Sequence, residues 1–302
     1  MTPQKALDRS AWLDLTILSL IWGGSFLAMR IALDEIGVFT VVAHRVGWAS
    51  VILWGYVAIR RLTVPRGLRI WGAFLVMGCL NNVIPFSLIA WGQLTIETGL
   101  TSILNATTAI FGVLVAAIAF ADERLTARRA IGIALGFAGV AIAIGVKSLL
   151  AFDPRSLAQL AILAAALSYA LAGSWARATL AGTAPQVAAA GMLTGSSLVM
   201  IPLAWAVDGP ISLALHGDTL LAIAYYSVAA TAAAYLLYYR ILERAGAGNL
   251  LLVTLLVAPV AIILGALFRD EALGAQVYAG FALLAAGMIV LDGRALSWVR
   301  RG

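Results

Sequence analysis

Apolar residues fill this chain in ten long runs, each separated from the next by a few charged, Gly or Pro positions. The runs cover 12–33, 38–59, 68–95, 98–121, 127–147, 156–179, 185–207, 218–240, 248–268 and 273–293. Each approaches or exceeds the roughly 20 residues that carry a helix across the hydrocarbon core. All are too long for strands and none alternates with period two, which excludes a β-barrel. The pattern predicts an all-α integral membrane protein with ten transmembrane helices. The longest connections, 148–155 and 208–218, leave no room for a soluble domain.

Composition agrees: 63% of residues are hydrophobic and 11% charged, against about 25% charged in soluble domains. The first run follows a short charged head and so looks like a signal peptide, but nine further runs make it a retained helix. Cys79 is the lone cysteine, so no intrachain disulfide forms.

Lys and Arg distribute unevenly. Alternate connections, counted from the N-terminus, hold Lys5, Arg9; Arg60, Arg61, Arg66, Arg69; Arg124, Arg128, Arg129; Arg177; Arg240, Arg244; and Arg294, Arg300, Arg301. The opposite face holds Arg30, Lys147, Arg155 and Arg269. This positive-inside bias predicts both termini in the cytoplasm. The net charge of +6 is thus a topology signal: the lipid bilayer is the expected partner and nucleic acid is not. The Arg, Ala and Gly usage suggests a GC-rich bacterial genome, and with the apolar runs the expected location is the bacterial inner membrane.

The chain also echoes itself. Residues 120–139 read FADERLTARRAIGIALGFAG and residues 268–287 read FRDEALGAQVYAGFALLAAG, identical at ten of twenty positions without a gap. Chance in so Ala- and Leu-rich a chain gives roughly two or three. The echo divides the chain into repeats at 1–150 and 151–302. Five spans per repeat is odd, so the second repeat enters the membrane inverted. The charges follow: Arg30 ends the first span outside and Arg177 the sixth inside, while Asp122-Glu123 lies inside and Asp270-Glu271 outside. Inverted repeats are a signature of secondary transporters that work by alternating access.

Short motifs carry a family resemblance. The first half opens with Ile21-Trp22-Gly23-Gly24-Ser25-Phe26 followed by Met29-Arg30, and the second with a degenerate form from Ser168 and Tyr169 through Gly173, Ser174 and Trp175 to Arg177. Ala43-His44-Arg45 matches a basic position of the second span, and Glu123-Arg124-Leu125-Thr126 with Gly132 and Gly139 matches a fourth-to-fifth connection. In order and spacing this resembles the EamA-type branch of the drug/metabolite transporter superfamily, and within it a YddG-type amino-acid exporter. The resemblance implies two inverted five-helix repeats around a central cavity. That cavity would be lined mainly by the first, third, fourth, sixth, eighth and ninth helices.

Polar positions on helical faces select similar helices. In the third span Gly78, Asn81, Asn82, Pro85 and Gly92 recur at helical steps. Pro85 frees a carbonyl one turn earlier, near Asn81. Such a break needs protein or a watery path to satisfy it. Two buried amides there favour a cavity, since packing alone satisfies them poorly. Thr101, Asn105, Thr108 and Gly112 form a small polar stripe in the fourth span, which helix packing explains equally well. Pro259, with Thr254 before it, is expected to break the ninth span similarly. In the eighth span Ser227, Thr231, Tyr235 and Tyr238 share a face; Tyr238 and Tyr239 fit an interfacial belt, and Tyr226 and Thr231 lie deeper. The expected cavity set is Trp22, Asn81, Asn82, Asn105, Ser168, Tyr169, Tyr226 and Thr231. The aromatic residues of this set fit interfacial anchoring as well.

None of the fourteen Asp and Glu residues falls in the middle third of a run, where proton relays usually place a carboxylate. His44 and Arg45 are the deep ionisable residues and the candidates for gating or coupling. A bland alternative has Arg45 snorkelling outward or bridging to Asp34 or Glu35. The balance favours a facilitator over a proton antiporter. One deep arginine is too few for a phosphate carrier, and no buried carboxylate serves a polycation. Amides, hydroxyls and aromatics suit a neutral or zwitterionic small-molecule substrate, amino acids included. Two histidines and separated acidic pairs supply no metal site, so neither a membrane enzyme nor a cofactor is expected, and a channel fits inverted halves less well. Nothing in the sequence sets the oligomeric state.

Overall fold

A computed structural model of the chain describes residues 9–121, 125–144, 154–245 and 252–292. Lys5, Asp122, Glu123, Arg124, Lys147, Arg294, Arg300 and Arg301, used above for topology and repeat, lie outside the described residues. Every regular element among the described residues is a helix. In chain order they are α1 (Arg9–Ala32), α2 (Val38–Ile59), α3 (Leu68–Gly92) and α4 (Thr98–Ala119), then α5 (Ala127–Ile144) and α6 (Pro154–Thr179). α7 (Pro185–Val207), α8 (beginning at Gly217), α9 (Leu252–Arg269) and α10 (Ala275–Asp292) follow. Seven, α1–α4 and α6–α8, are long and apolar enough to cross a membrane, while Leu256–Arg269 and Ala275–Val290 are shorter apolar helices. Large apolar side chains such as Ile59, Leu68 and Ile118 remain exposed on the surface of the bundle, as expected where lipid is the solvent.

Three helices are interrupted near their middles. In α3 the residues Cys79–Val83 form a π-helical turn just before Pro85. There the Ile84 N–H reaches the Cys79 carbonyl, five residues back. Proline has no N–H to give and cannot sit in a regular ladder, so the widened turn takes up the mismatch. α8 contains a longer π-helical stretch, Tyr225–Ala233, without a proline. The Thr231 hydroxyl donates to the Tyr226 carbonyl five residues earlier at 2.7 Å, inserting a side chain into the ladder. α4 is split into Thr98–Asn105 and Thr108–Ala119. The Thr107 hydroxyl donates to Leu104 O at 2.6 Å and the Thr108 hydroxyl to Asn105 O at 2.7 Å. α9 runs through Pro259 as one continuous helix, so the break expected there is absent.

The packing has an internal symmetry. α2 packs on α7, α5 on α10 and α4 on α9. α1 packs on α9 and α8, as α6 packs on α4 and α3; α3 meets α7 as α8 meets α2. Exchanging each of α1–α5 with its counterpart among α6–α10 maps these named contacts onto one another. The echoed segments meet one another: a Cβ on Gly139 would strike Gly280 O, and one on Gly287 would strike Gly132 O. The two glycines of each copy therefore face those of the other across an antiparallel, self-complementary contact.

Candidate functional site

α2 carries Arg45 into the bundle roughly 10 Å from its first residue, at 1.5 Å of rise per residue. The side chain is only 6% exposed. Its Nε donates to the Thr231 hydroxyl at 3.0 Å, and its guanidinium lies 4.1 Å from the centre of the Phe86 ring. Among the described residues no carboxylate pairs with it. Asp34, offered above as a bridge, is held by Arg30 and Arg269. Glu35, the other candidate, is held by His216. Neither bridge forms, and the guanidinium points inward.

Phenols and amides collect around Arg45. Tyr169 meets Phe86 edge-on, with ring centres 6.4 Å apart. Tyr169, Tyr226 and Tyr235 all lie within electrostatic reach of the guanidinium. Tyr226 is fully buried, and its hydroxyl has no hydrogen-bond partner among the described residues. Tyr235 donates its hydroxyl proton to Asn82 Oδ1 at 3.1 Å and accepts from Asn81 Nδ2 at 2.9 Å. Asn82 Nδ2 donates to the Ser196 hydroxyl of α7 at 2.8 Å. Asn82 is fully buried, so its amide is a tie between α3, α7 and α8. Asn81 keeps partial exposure.

The first helix of each half donates into the interrupted helix of the other. Trp22 Nε1 donates to Ala230 O at 3.2 Å, inside the π-helical stretch of α8, and the Tyr225 hydroxyl returns to Ile21 O at 3.0 Å. Symmetrically, the Ser168 hydroxyl of α6 donates to Leu80 O at 2.7 Å, inside the π-helical turn of α3. Carbonyls at irregular helix turns thereby find donors without water.

Of the residues expected in a cavity, Asn81, Asn82, Tyr169, Tyr226 and Thr231 join one cluster with Arg45, directly or through one partner. Trp22 and Ser168 brace the two π-helical segments, and the Trp22 ring also lies 6.0 Å from Tyr238. Tyr238 and Tyr239 stack edge-on and pack partly buried against the core. Asn105 lies at the break in α4, its buried Oδ1 unpartnered among the described residues, where no hydrogen bond ties it to the Arg45 cluster. His44 is buried with Nε2 unpartnered and stands outside that cluster. Sequence reasoning missed Phe86 and Ser196 and left Tyr235 outside the set. Phe86 sits one turn after Asn82, a spacing that places both on one face.

One end of the bundle is latched across the two halves of the chain. Arg269 reaches Asp34 at 2.6 Å, Arg155 reaches Glu97 at 2.8 Å, and the His216 N–H donates to Glu35 at 3.0 Å. Asp208 accepts from the Thr40 N–H at 2.7 Å, and Glu271 from the Thr98 hydroxyl at 2.7 Å. The last two carboxylates sit at the N-termini of α2 and α4, where unpaired N–H groups favour negative charge. Hydrogen bonds from Thr219 and from His216 hold the Glu35 carboxyl below its ordinary pKa, against opposing desolvation. At this end residues 98–104 of α4 are buried and pack on α9. Toward the other end residues 111–117 are only half-buried and α4 packs on α6. That end is joined by the Asp14–Arg240 ion pair and by Arg177 over Phe120 at 4.1 Å.

Apolar helices in a symmetric packing scheme, with a polar cluster among them, suit a membrane transporter. The EamA-like transporter family matches it twice, over residues 11–145 and 156–291. The chain belongs to the EamA-like transporter family. It is a multi-pass membrane protein, and the family is one of transporters. A protein of Streptantibioticus cattleyicolor named probable terminal-alkyne amino-acid exporter is 32% identical over 140 residues, 45% of each chain. The uncharacterized transporter YoaV of Bacillus subtilis is 23% identical over 168 residues, 55% of this chain and 56% of that one. Protein PagO of Salmonella typhimurium is 31% identical over 110 residues, 36% of this chain and 35% of that one. The matched stretches thus span about half or less of these relatives' lengths. A solved crystal structure superposes with TM-score 0.68 at 20% identity, over 98% of this chain and 99% of that one; this likeness concerns the fold alone.

Proposed function

We propose that this EamA-family protein exports small neutral or zwitterionic metabolites, amino acids with aromatic and other hydrophobic side chains among them. Transport proceeds by alternating access between inverted repeats 1–150 and 151–302, as facilitated movement without a coupling ion. The observation that carries the reading is the pair of π-helical segments, Cys79–Val83 and Tyr225–Ala233, at corresponding places in the two halves. Each is braced by the first helix of the opposite half. Irregular backbone at the repeat interface, among amides, phenols and one cation, is where transporters of inverted architecture bind substrate.

The latched end is the periplasmic face in this reading, and the half-buried end of α4 opens toward the cytoplasm. The arrangement suits loading of an exporter from inside. Export then requires the latch to part and the Asp14–Arg240 end to close. Counterflow of labelled amino acids in proteoliposomes tests the proposal: saturable, competitor-sensitive exchange is expected. Diffusion-like leakage for every solute, unaffected by competitors, would overturn it.

A further inference from the structure

Burying an unpaired charge is costly, and intramembrane arginines normally pair with a carboxylate or with backbone carbonyls. Arg45 does neither among the described residues. A guanidinium offers five N–H donors; here Nε alone is engaged, by Thr231. The four donors on Nη1 and Nη2 meet no carboxylate among the described residues, yet the residue is only 6% exposed. Phe86 lies against the guanidinium, its ring centre 4.1 Å from Cζ, so an apolar neighbour and not a counter-charge accompanies the cation.

The neighbouring groups fit the same ligand. The Tyr226 hydroxyl is buried and unpartnered, an orphan donor in a fully buried side chain within electrostatic reach of Arg45. Thr231 is occupied twice over: it accepts from Arg45 and donates to Tyr226 O. Arg45 is thereby locked to the π-helical stretch of α8 and its free edge is oriented. A rigid fork with a second donor nearby is the donor set that a carboxylate takes in bidentate fashion.

We propose that Arg45 is the substrate-carboxylate receptor, taking the carboxylate of a monocarboxylic solute on Nη1 and Nη2 with the Tyr226 hydroxyl as an added donor. The inference rests on the carrier reading above and narrows it: the substrate must carry a free carboxylate, and its ammonium group is secondary. Because Arg45 belongs to the first half and Thr231 and Tyr226 to the second, a bound carboxylate neutralises a charge at the seam where the halves meet. An occupied seam crosses more easily than one holding a bare cation.

Two measurements separate this inference from the carrier reading. In counterflow of labelled phenylalanine, 3-phenylpropionate should compete about as well as phenylalanine, and phenylalaninamide at least tenfold more weakly, as loss of a charge-assisted bond requires. Arg45→Gln should bring the carboxylate and amide competitors to within about threefold of each other, and Arg45→Lys should keep part of the preference. An arginine with only a structural role would leave that ratio unchanged. The second measurement is the melting temperature of the detergent-purified wild-type protein, which needs no transport. Stabilisation by 3-phenylpropionate and not by phenylalaninamide is expected. If flux fails for every solute while this discrimination persists, the carrier reading falls and the carboxylate receptor stands. Equal response to acid and amide in the wild-type protein overturns the receptor, whether or not flux is seen.

Discussion

Arg269, at the last turn of α9, grips both carboxylate oxygens of Asp34, at 2.6 Å and 3.3 Å, and so closes the turn after α1 against the far half of the chain. The side chains are 29% and 45% exposed, and exposed pairs contribute about 0–1 kcal/mol. The pair is a latch more than a support. Its neighbours, Glu35 with His216 and Thr40 with Asp208, tie the same two halves. Small energies at such a seam change populations and leave the fold alone.

Asp34→Asn should therefore leave the melting temperature within about a degree or two of wild type while shifting the balance between the two closed ends. The shift is read as increased labelling, from the latched side, of a single cysteine engineered at Phe26, a buried residue of α1 eight positions before Asp34, in a Cys79→Ser background. Glu35 adds a pH signature. Its carboxyl is held below the ordinary value of 4.5, so its contribution is fully present above that value and is lost as pH falls through the lowered pKa. Labelling should rise only in that acidic range; a rise centred near neutrality would take Glu35 out of the latch.

The contact between α5 and α10 makes the opposite demand, since it is close and backbone-to-backbone. A Cβ at Gly280 would collide with Gly139 O and with Ala143, and neither backbone can step aside. Gly280→Ala should destabilise the protein by about 1–3 kcal/mol, the usual effect of overpacking. Gly173→Ala in α6, where nothing lies within 4 Å, should cost nothing measurable. Equal melting temperatures for the two variants would remove the role assigned to the echoed glycines.

Those glycines show what the sequence could reveal. Gly132, Gly139, Gly280 and Gly287 stood out as repeated letters, and their mutual contact follows from a two-fold arrangement that repetition already implied. Pro85 likewise announced the interruption of α3, because a missing N–H is a local property. The π-helical stretch of α8 was not legible, because it depends on where the Thr231 hydroxyl turns, and that is set by Arg45 from another helix. Pro259 failed as a signal for the converse reason: α9 is packed on α1 and α4, and a proline within a packed helix can be carried without a break. The site was half legible. The depth of Arg45 could be counted along α2, but its lack of a carboxylate partner required knowing that Arg269 and His216 had already taken Asp34 and Glu35.

Asn82 and Tyr226 should separate stability from transport. Asn82→Ala deprives the Tyr235 hydroxyl of its acceptor and ends the tie to Ser196, so a loss of about 1–3 kcal/mol is expected. Tyr226→Phe removes a hydroxyl that has no partner among the described residues, so its melting temperature should hold or rise. Its apparent affinity for phenylalanine should fall severalfold. Thermal melts and counterflow on the same preparations decide the matter, and the reverse pattern would exchange the two roles.

Orientation is open to reporter fusions. Fusions after Arg60 and Arg128 should read cytoplasmic, and fusions after Asp34, Asp153 and Gly209 periplasmic. Asp153 lies outside the described residues, and the test does not depend on its placement. A consistent inversion would turn the latch into a cytoplasmic gate and sink the loading scheme proposed above.

Facilitated movement and proton coupling differ at His44, a buried imidazole whose Nε2 has no hydrogen-bond partner among the described residues. An unperturbed imidazole titrates near neutrality and is the natural proton carrier in a seam without carboxylates. Burial works against that role, because a protonated imidazole there would be a buried cation with no carboxylate partner among the described residues. Amino-acid counterflow should therefore persist when an uncoupler collapses the proton gradient, and His44→Ala should change the rate by less than about twofold. Abolition of flux by the uncoupler in wild type, with insensitivity in His44→Ala, would make His44 the coupling group. The carrier would then be a proton antiporter whose substrate site still centres on Arg45.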